Sequence, residues 1–287
     1  MNPLERYLSW KAPQTPRAAV SYGIWLRKLY QFHNRPQGEI LSYDDMQAFA
    51  DWMATKYRPG TRRIAIAAMR DYAAWCRQMG FFDAPFELLK KPRGEAQHFR
   101  AIKREDYLRI IAQVDRNASV GMRDLMVLHL FFDSGIRVCE MASLKISQMD
   151  TEKCEAVILS AKSRGKKLRK IFWSETTNVY LKRHIEARRA SQDGLDWLFV
   201  TTHWQAKQKV HERSIQRIIK KYSERAGVKM TCHDIRTTFA TDKYYSGLDI
   251  NSIRWALGHS SISTTQTYIQ AADKTIEERI RSVLFSL

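Results

Sequence analysis

Cysteine is scarce in this 287-residue chain: Cys76, Cys139, Cys154 and Cys232 lie far apart and form no C-x-x-C pair. Neither a disulfide framework nor a clustered zinc site fits that spacing, so each is expected to be a plain buried thiol in a reducing, cytoplasmic setting. No secretory leader opens the chain, and no apolar run approaches the roughly 20 residues that cross a bilayer. A soluble protein with no membrane partner is the expectation. Carboxylates are also the minority, with no acidic cluster of the kind that holds a catalytic metal, and no glycine-rich phosphate loop or Ser-His-Asp spacing surrounds the histidines discussed below.

The chain does have positive charge. Lys and Arg number 48 against 30 Asp and Glu, a formal net charge of +18. Residues 1–100 carry 16 basic against 9 acidic side chains and the remainder 32 against 21, so both parts are basic. An excess of this size points to a polyanion, nucleic acid first, and two basic bodies suit a protein that closes on DNA from two sides.

Residues 1 to about 90 read as helices. Val20, Ile24, Trp25, Leu29 and Phe32 recur at three- and four-residue spacing after Pro16, predicting one helix. A second is expected over 43–57, from Ser42 with Asp44 and Asp45 in its first turn, stopped by Pro59-Gly60. A third, over 61–79, offers Ile64, Ala67, Ala68, Ala74, Trp75 and Met79 to a core. On it Arg63, Arg70 and Arg77 repeat every seven residues, which by periodicity alone describes a solvated face. KKPRGEAQHFRAIK, from Lys90 and Lys91 to Lys103, lacks an apolar period and reads as a basic interdomain linker.

Beyond it come a helix with Tyr107, Leu108, Ile110 and Ile111, and a buried helix around Leu125 to Phe131. A short helix with Glu140, Met141 and Leu144 follows Gly135 and Arg137. AVILS (156–160) and LRKIFW (168–173) flank a polar Gly165 segment and predict a hairpin, with a weaker strand signal over 197–200. Between them Lys162, Arg164, Lys166, Lys167, Arg169 and Lys170 place six positive charges in nine residues, a density suited to phosphate contact. Helices are expected over 175–190 and 212–226, and an amphipathic one closes the chain over 274–287.

The stretch from Thr231 to Tyr268 concentrates phosphate chemistry. His233 and Arg236 are three apart and share a helix face. His259 follows Leu257-Gly258, where glycine after an apolar run predicts a helix C-cap, and Tyr268 comes nine positions later. With H-D-I-R followed by T-F-A-T, L-G-H-S-S, that tyrosine, and D-S-G-I-R-V-C-E-M-A-S-L around Arg137, the chain resembles the tyrosine recombinases, also called phage integrases or Xer-type recombinases. Thr237 stands where a histidine often follows the second arginine, and K-I-F-W replaces a frequent V-P-L. Neither change removes a reactive group.

The resemblance implies a mainly α fold: an N-terminal helical, SAM-like core-binding domain (1–92), a basic linker (93–103) and an α-rich catalytic domain with a small sheet or hairpin (104–287), forming a C-shaped clamp on DNA. It turns the Arg63, Arg70 and Arg77 stripe toward DNA, with Lys90, Lys91, Arg164, Lys166 and Lys167. It gives the terminal helix to an adjacent protomer, in a homo-tetramer on two DNA sites that is monomeric or dimeric when free, with or without accessory proteins. It makes Tyr268 the nucleophile that forms a 3′-phosphotyrosine. A phenol's ordinary pKa near 10 then requires its proton to be taken or its anion stabilised. Arg137 and Arg236 clamp the non-bridging oxygens, His233 assists the proton, His259 hydrogen-bonds the phosphate, and Lys162, with Lys166 and Lys167 as the alternatives on the same hairpin, protonates the leaving 5′-oxygen. Stored as an ester, the bond needs no ATP, and two guanidiniums supply the charge that a metal supplies elsewhere, so no cofactor is expected. Two rivals share parts of this pattern. A type IB topoisomerase uses the same cleavage chemistry as a monomer that relaxes supercoils, and a non-catalytic DNA-binding module needs none of the reactive side chains.

Overall fold

A computed structural model describes residues 1–82, 88–92, 100–160, 167–201 and 207–270. The architecture is mainly helical with one small sheet. The chain divides into two compact units, Met1–Gln97 and His98–Leu287.

The first unit holds α1 (Pro3–Gln14), α2 (Pro16–Phe32), α3 (Tyr43–Lys56) and α4 (Pro59–Gln78). A Ser42–Asp45 capping box starts α3, and Pro59 opens α4 at its first position, where its missing N–H costs nothing. Tyr7, Leu26, Tyr30, Phe49, Met53 and Tyr72 fill the core. The Tyr30 and Tyr72 hydroxyls meet inside it at 3.1 Å.

Helix α2 forms where the periodicity predicts it, but its buried face is not the stripe of large apolar residues. Val20, Ile24 and Phe32 are exposed, and the inward face is Ala19, Gly23, Leu26, Leu29 and Tyr30. The reason is α1, which packs on α2 closely enough that a Cβ on Gly23 would lie 3.2 Å from Leu8 Cδ1. Small residues mark that contact, and the large apolar ones lie beside it. Of the residues expected in the core from this stretch, Ala68 and Trp75 are buried, whereas Ile64, Ala74 and, just past the end of α4, Met79 are exposed.

The second unit comprises α5 (Arg104–Ala112), α6 (Ser119–Ser134), α7 (Val138–Met141), α8 (Glu175–Ala190), α9 (Glu212–Arg225), α10 (Cys232–Tyr245), α11 (Ile250–Leu257) and α12 (Ile262–Gln270). Strands β1 (Met149–Asp150), β2 (Glu155–Leu159) and β3 (Leu168–Phe172) form an antiparallel sheet in the order β1-β2-β3, with Glu155 opposite Phe172 and Leu159 opposite Leu168. Leu144, expected in the short helix, lies beyond its end. The 197–200 segment makes two isolated bridges, Lys145 to Trp197 and Val200 to Lys209, so its ends reach different partners and no strand forms. Helix α6 is the centre of the core, with Leu125, Met126, Leu128, Leu130 and Phe131 fully buried. The expected helix over 274–287 lies outside the described residues.

All four cysteines are free; Cys76 and Cys154 are buried, Cys139 and Cys232 half-buried. Among the described residues no helix is long and apolar enough to cross a membrane.

Candidate active site

Two glycines in the left-handed region shape the site. Gly135 (φ +55) ends α6, and a Cβ there would lie 2.7 Å from the Phe239 ring. Gly258 (φ +63) ends α11, and a Cβ there would lie 2.8 Å from Arg169 Nε. Only glycine accepts both the backbone angle and the crowding. Each turn leaves helix C-terminal carbonyls without intrahelical partners, and guanidinium groups take them.

Arg137 is in extended conformation directly before α7. Its Nη1 donates to Glu140 Oε1 at 3.0 Å and its Nη2 to the Gly258 carbonyl at 2.8 Å. Arg236 lies on α10, which starts at a Thr231–Asp234 capping box that sets the phase of H-D-I-R. Its Nη1 donates to the Gly135 carbonyl, and its Nη2 donates to the Leu257 carbonyl at 3.0 Å and to His259 Nε2 at 3.1 Å. A third guanidinium, from Arg169, donates to the Ala256 carbonyl and, at 2.7 Å, to Glu140 Oε2. Three consecutive carbonyls at the end of α11, from Ala256, Leu257 and Gly258, thus hold three arginines.

His259 sits on the turn beside them, 8% exposed. A guanidinium has no acceptor, so His259 Nε2 must present its lone pair to Arg236. The ring proton then lies on Nδ1, which donates to Thr265 Oγ1 at 2.9 Å. Burial, then the charges of Arg236, Arg137, Arg169 and His233, pushes the imidazole down to about 3, so the ring is neutral at pH 7. Burial and the neighbouring Arg137 push Arg236 down to about 10, which leaves it charged at pH 7.

Tyr268, on α12, is buried with Phe239, Ala240, Ile253 and Leu257. Its ring packs edge-on between the two histidines, with centroids 5.2 Å from His233 and 5.0 Å from His259. His233 itself is exposed at the start of α10. The folded unit therefore brings together five of the six candidate catalytic residues: Arg137, His233, Arg236, His259 and Tyr268. Lys162, with Arg164 and Lys166, lies outside the described residues. Ser160, the last described residue before that segment, has its hydroxyl 3.1 Å from where a Gly258 Cβ would be.

The basic hairpin divides. Lys167 is exposed, Lys170 pairs with Glu155 at 2.7 Å, and Arg169 turns inward, 5% exposed. Its expected phosphate contact is thus corrected, since its charge faces Glu140. In the first unit Arg63 and Arg77 are exposed and Arg70 half-buried along one side of α4, and Lys90 and Lys91 are exposed. Sequence reasoning missed Arg169 and Thr265 as members of the site. Strand alternation could have found the first, because Arg169 and Ile171 share the inner face of β3. The i, i+3 spacing of Thr265 and Tyr268 could have found the second.

Residues 100–275 match the family model described as the phage integrase family. Tyrosine recombinase XerA of Pyrococcus horikoshii is 27% identical over 259 residues, 90% of this chain and 85% of that protein. Tyrosine recombinase XerD of Neisseria meningitidis is 30% identical over 234 residues, 78% of each chain. The solved XerH site-specific recombinase, bound to a palindromic difH substrate in a post-cleavage complex, superposes with a TM-score of 0.77 at 18% identity, over 98% of this chain and 84% of that one. A lambda integrase dimer bound to a COC′ core site gives 0.73 at 14% identity, over 94% and 77%. Structural likeness at such identities shows a shared fold, and the sequence matches carry the assignment: the chain belongs to the phage integrase family, the tyrosine recombinases.

Proposed function

We propose that this tyrosine recombinase binds a short inverted-repeat site in double-stranded DNA and cleaves it with Tyr268. As a tyrosine recombinase it breaks and rejoins DNA at specific sites; the assignment of roles to its own residues is the proposal. The Tyr268 oxygen attacks the scissile phosphorus and loses its proton. The new ester holds the 3′-phosphate, and the bond to the 5′-oxygen breaks with protonation of that oxygen. Reversal by a 5′-hydroxyl from the partner duplex rejoins the strands, and two rounds pass through a Holliday junction. Arg137 and Arg236 hold the non-bridging oxygens by forked, charge-assisted bonds. His233, exposed and against the Tyr268 ring, takes the phenol proton. His259 holds Arg236 through Nε2. Lys162 is the acid for the 5′-oxygen, with Lys166 and Lys167 the alternatives. Assembly is a homo-tetramer on two sites, in the cytoplasm.

The observation that supports this most is the packing of Tyr268 against both histidines, one of which is bonded to Arg236. The test uses a duplex selected from random-sequence DNA by binding to the full chain, nicked near the cleavage point so that the released end diffuses away. Wild type is expected to leave an SDS-resistant protein–DNA adduct. Tyr268→Phe is expected to bind that duplex and leave none. An adduct in the mutant would move the nucleophile elsewhere, and binding without any wild-type adduct would reduce the protein to a DNA-binding module.

A further inference from the structure

Arg169 has no part in the roles above, yet its guanidinium bonds to one anchor of Arg137 and lies beside the other. Arg137 is held by Glu140 Oε1 at 3.0 Å and by the Gly258 carbonyl at 2.8 Å. Arg169 holds the other oxygen of that carboxylate at 2.7 Å and the Ala256 carbonyl two residues before Gly258. Its Nε and Cδ also lie against Gly258, where a Cβ would come within 2.8 and 2.9 Å of them. The result is a closed ring of contacts: Arg169, Glu140, Arg137, Gly258, and back through the 256–258 backbone to Arg169. Arg169 and Glu140 are each 5% exposed, so the ring is set before any DNA arrives.

We infer that Arg169 is a positioning residue for phosphoryl transfer, fixing the Glu140 carboxylate and the 256–258 turn that aim the Arg137 guanidinium. The inference rests on the reading of Arg137 as a phosphate clamp. Direct phosphate contact by Arg169 does not fit, since its head faces Glu140 and Ala256 in the interior. A role in stability is the rival reading, because removing one partner of a buried ion pair is itself destabilising. Positioning differs from it in its effect on rate, since a displacement near 1 Å at a reacting centre can cost about 100-fold.

The test separates orientation from stability by changing the charge of the substrate. Full-length wild type, Arg137→Ala, Arg169→Met and the double variant are assayed in single turnover on the selected nicked duplex. Its scissile linkage is either a phosphodiester or a neutral methylphosphonate, which removes the charge that a clamp serves. Arg169→Met is expected to slow cleavage of the phosphodiester roughly 10- to 100-fold. On the methylphosphonate it should stay within about threefold of wild type, and the double variant should be no slower than Arg137→Ala, because residues acting as a unit are not additive. Equal slowing on both linkages, or additive losses, would overturn the inference while leaving Arg137 as the clamp. If Arg137→Ala itself slows both linkages equally, the clamp reading fails and this inference fails with it. Should the methionine variant melt at assay temperature, Arg169→Lys, which keeps the charge at Glu140, carries the same comparison, with loss again expected on the phosphodiester alone.

Discussion

Gly258→Ala should damage this protein more than an alanine at a geometrically matched glycine, and the structure supplies the control. Gly258 and Gly227 have nearly the same backbone, φ +63 and +65, but a Cβ on Gly227 would meet nothing within 4 Å. Alanine in that left-handed region costs about 1 to 2 kcal/mol at either position. At Gly258 the methyl would also press on Arg169 Nε at 2.8 Å, Arg169 Cδ at 2.9 Å and Ser160 Oγ at 3.1 Å. Overpacking of that kind adds about 1 to 3 kcal/mol, since Arg169 is tied to Glu140 and cannot swing away. For a unit of this size each kcal/mol lowers Tm by about 2 to 4 °C. Gly258→Ala is therefore expected to melt roughly 2 to 12 °C below Gly227→Ala in calorimetry on the full chain. It should also cleave more slowly, because the displaced turn carries the carbonyls that hold Arg137, Arg169 and Arg236. Melting points within about 1 °C of each other would show that the crowding around Gly258 does not exist in solution.

His259 makes stability pH-dependent with a defined sign. Its folded pKa is depressed to about 3 from the ordinary 6.5, so below pH 6.5 the unfolded chain takes up a proton that the folded chain refuses, and stability falls as pH falls. Between pH 7.5 and 5.5 the loss from this ring is about 1.4 kcal/mol, and Tm measured against pH should show that much less slope in His259→Gln; an unchanged slope refutes it. Thr265→Val removes the acceptor of His259 Nδ1 without changing shape. It should shift the imidazole nitrogen resonances and slow cleavage several-fold while DNA affinity holds, and an unmoved nitrogen spectrum would mean that Thr265 does not set the tautomer. Arg63→Ala and Arg77→Ala on the exposed side of α4 should each weaken binding to all sequences alike and reduce the slope of log K against log salt by about 0.9; a slope identical to wild type would return that stripe to solvent.

The parts of the molecule that were legible from sequence are those where chemistry and local geometry coincide. H-D-I-R begins a helix because Thr231 and Asp234 cap each other, and L-G-H turns because Gly258 follows an apolar helix, so both motifs could be read without tertiary information. Helix α2 shows where that ends. Its large apolar residues outline a plausible face, but α1 comes close at Gly23, and close approach between helices is invisible to a count of large side chains. Arg169 failed for a related reason. A run of basic residues reads as one surface, whereas a strand sends alternate side chains to opposite faces, and the inward position became acceptable only because Glu140, 29 residues earlier, waits there.

Charge counting explains why the site is held by carbonyls more than by carboxylates. Among the described residues, three guanidiniums against one Glu140 leave a formal excess of two positive charges around His259. A second carboxylate would steady the arginines and cancel that excess. The backbone carbonyls of Gly135, Ala256, Leu257 and Gly258 instead supply fixed partial negative charge, reinforced by the C-terminal ends of α6 and α11, and hold the arginines without neutralising them. A DNA phosphodiester carries one negative charge, and a phenolate joining it makes two. On the proposed mechanism the excess matches the charge of the reacting complex better than that of bound DNA, so attraction to the arginines would grow as the Tyr268 oxygen approached phosphorus. An interaction that strengthens along the reaction lowers the barrier, whereas one complete at binding would only hold the substrate more tightly.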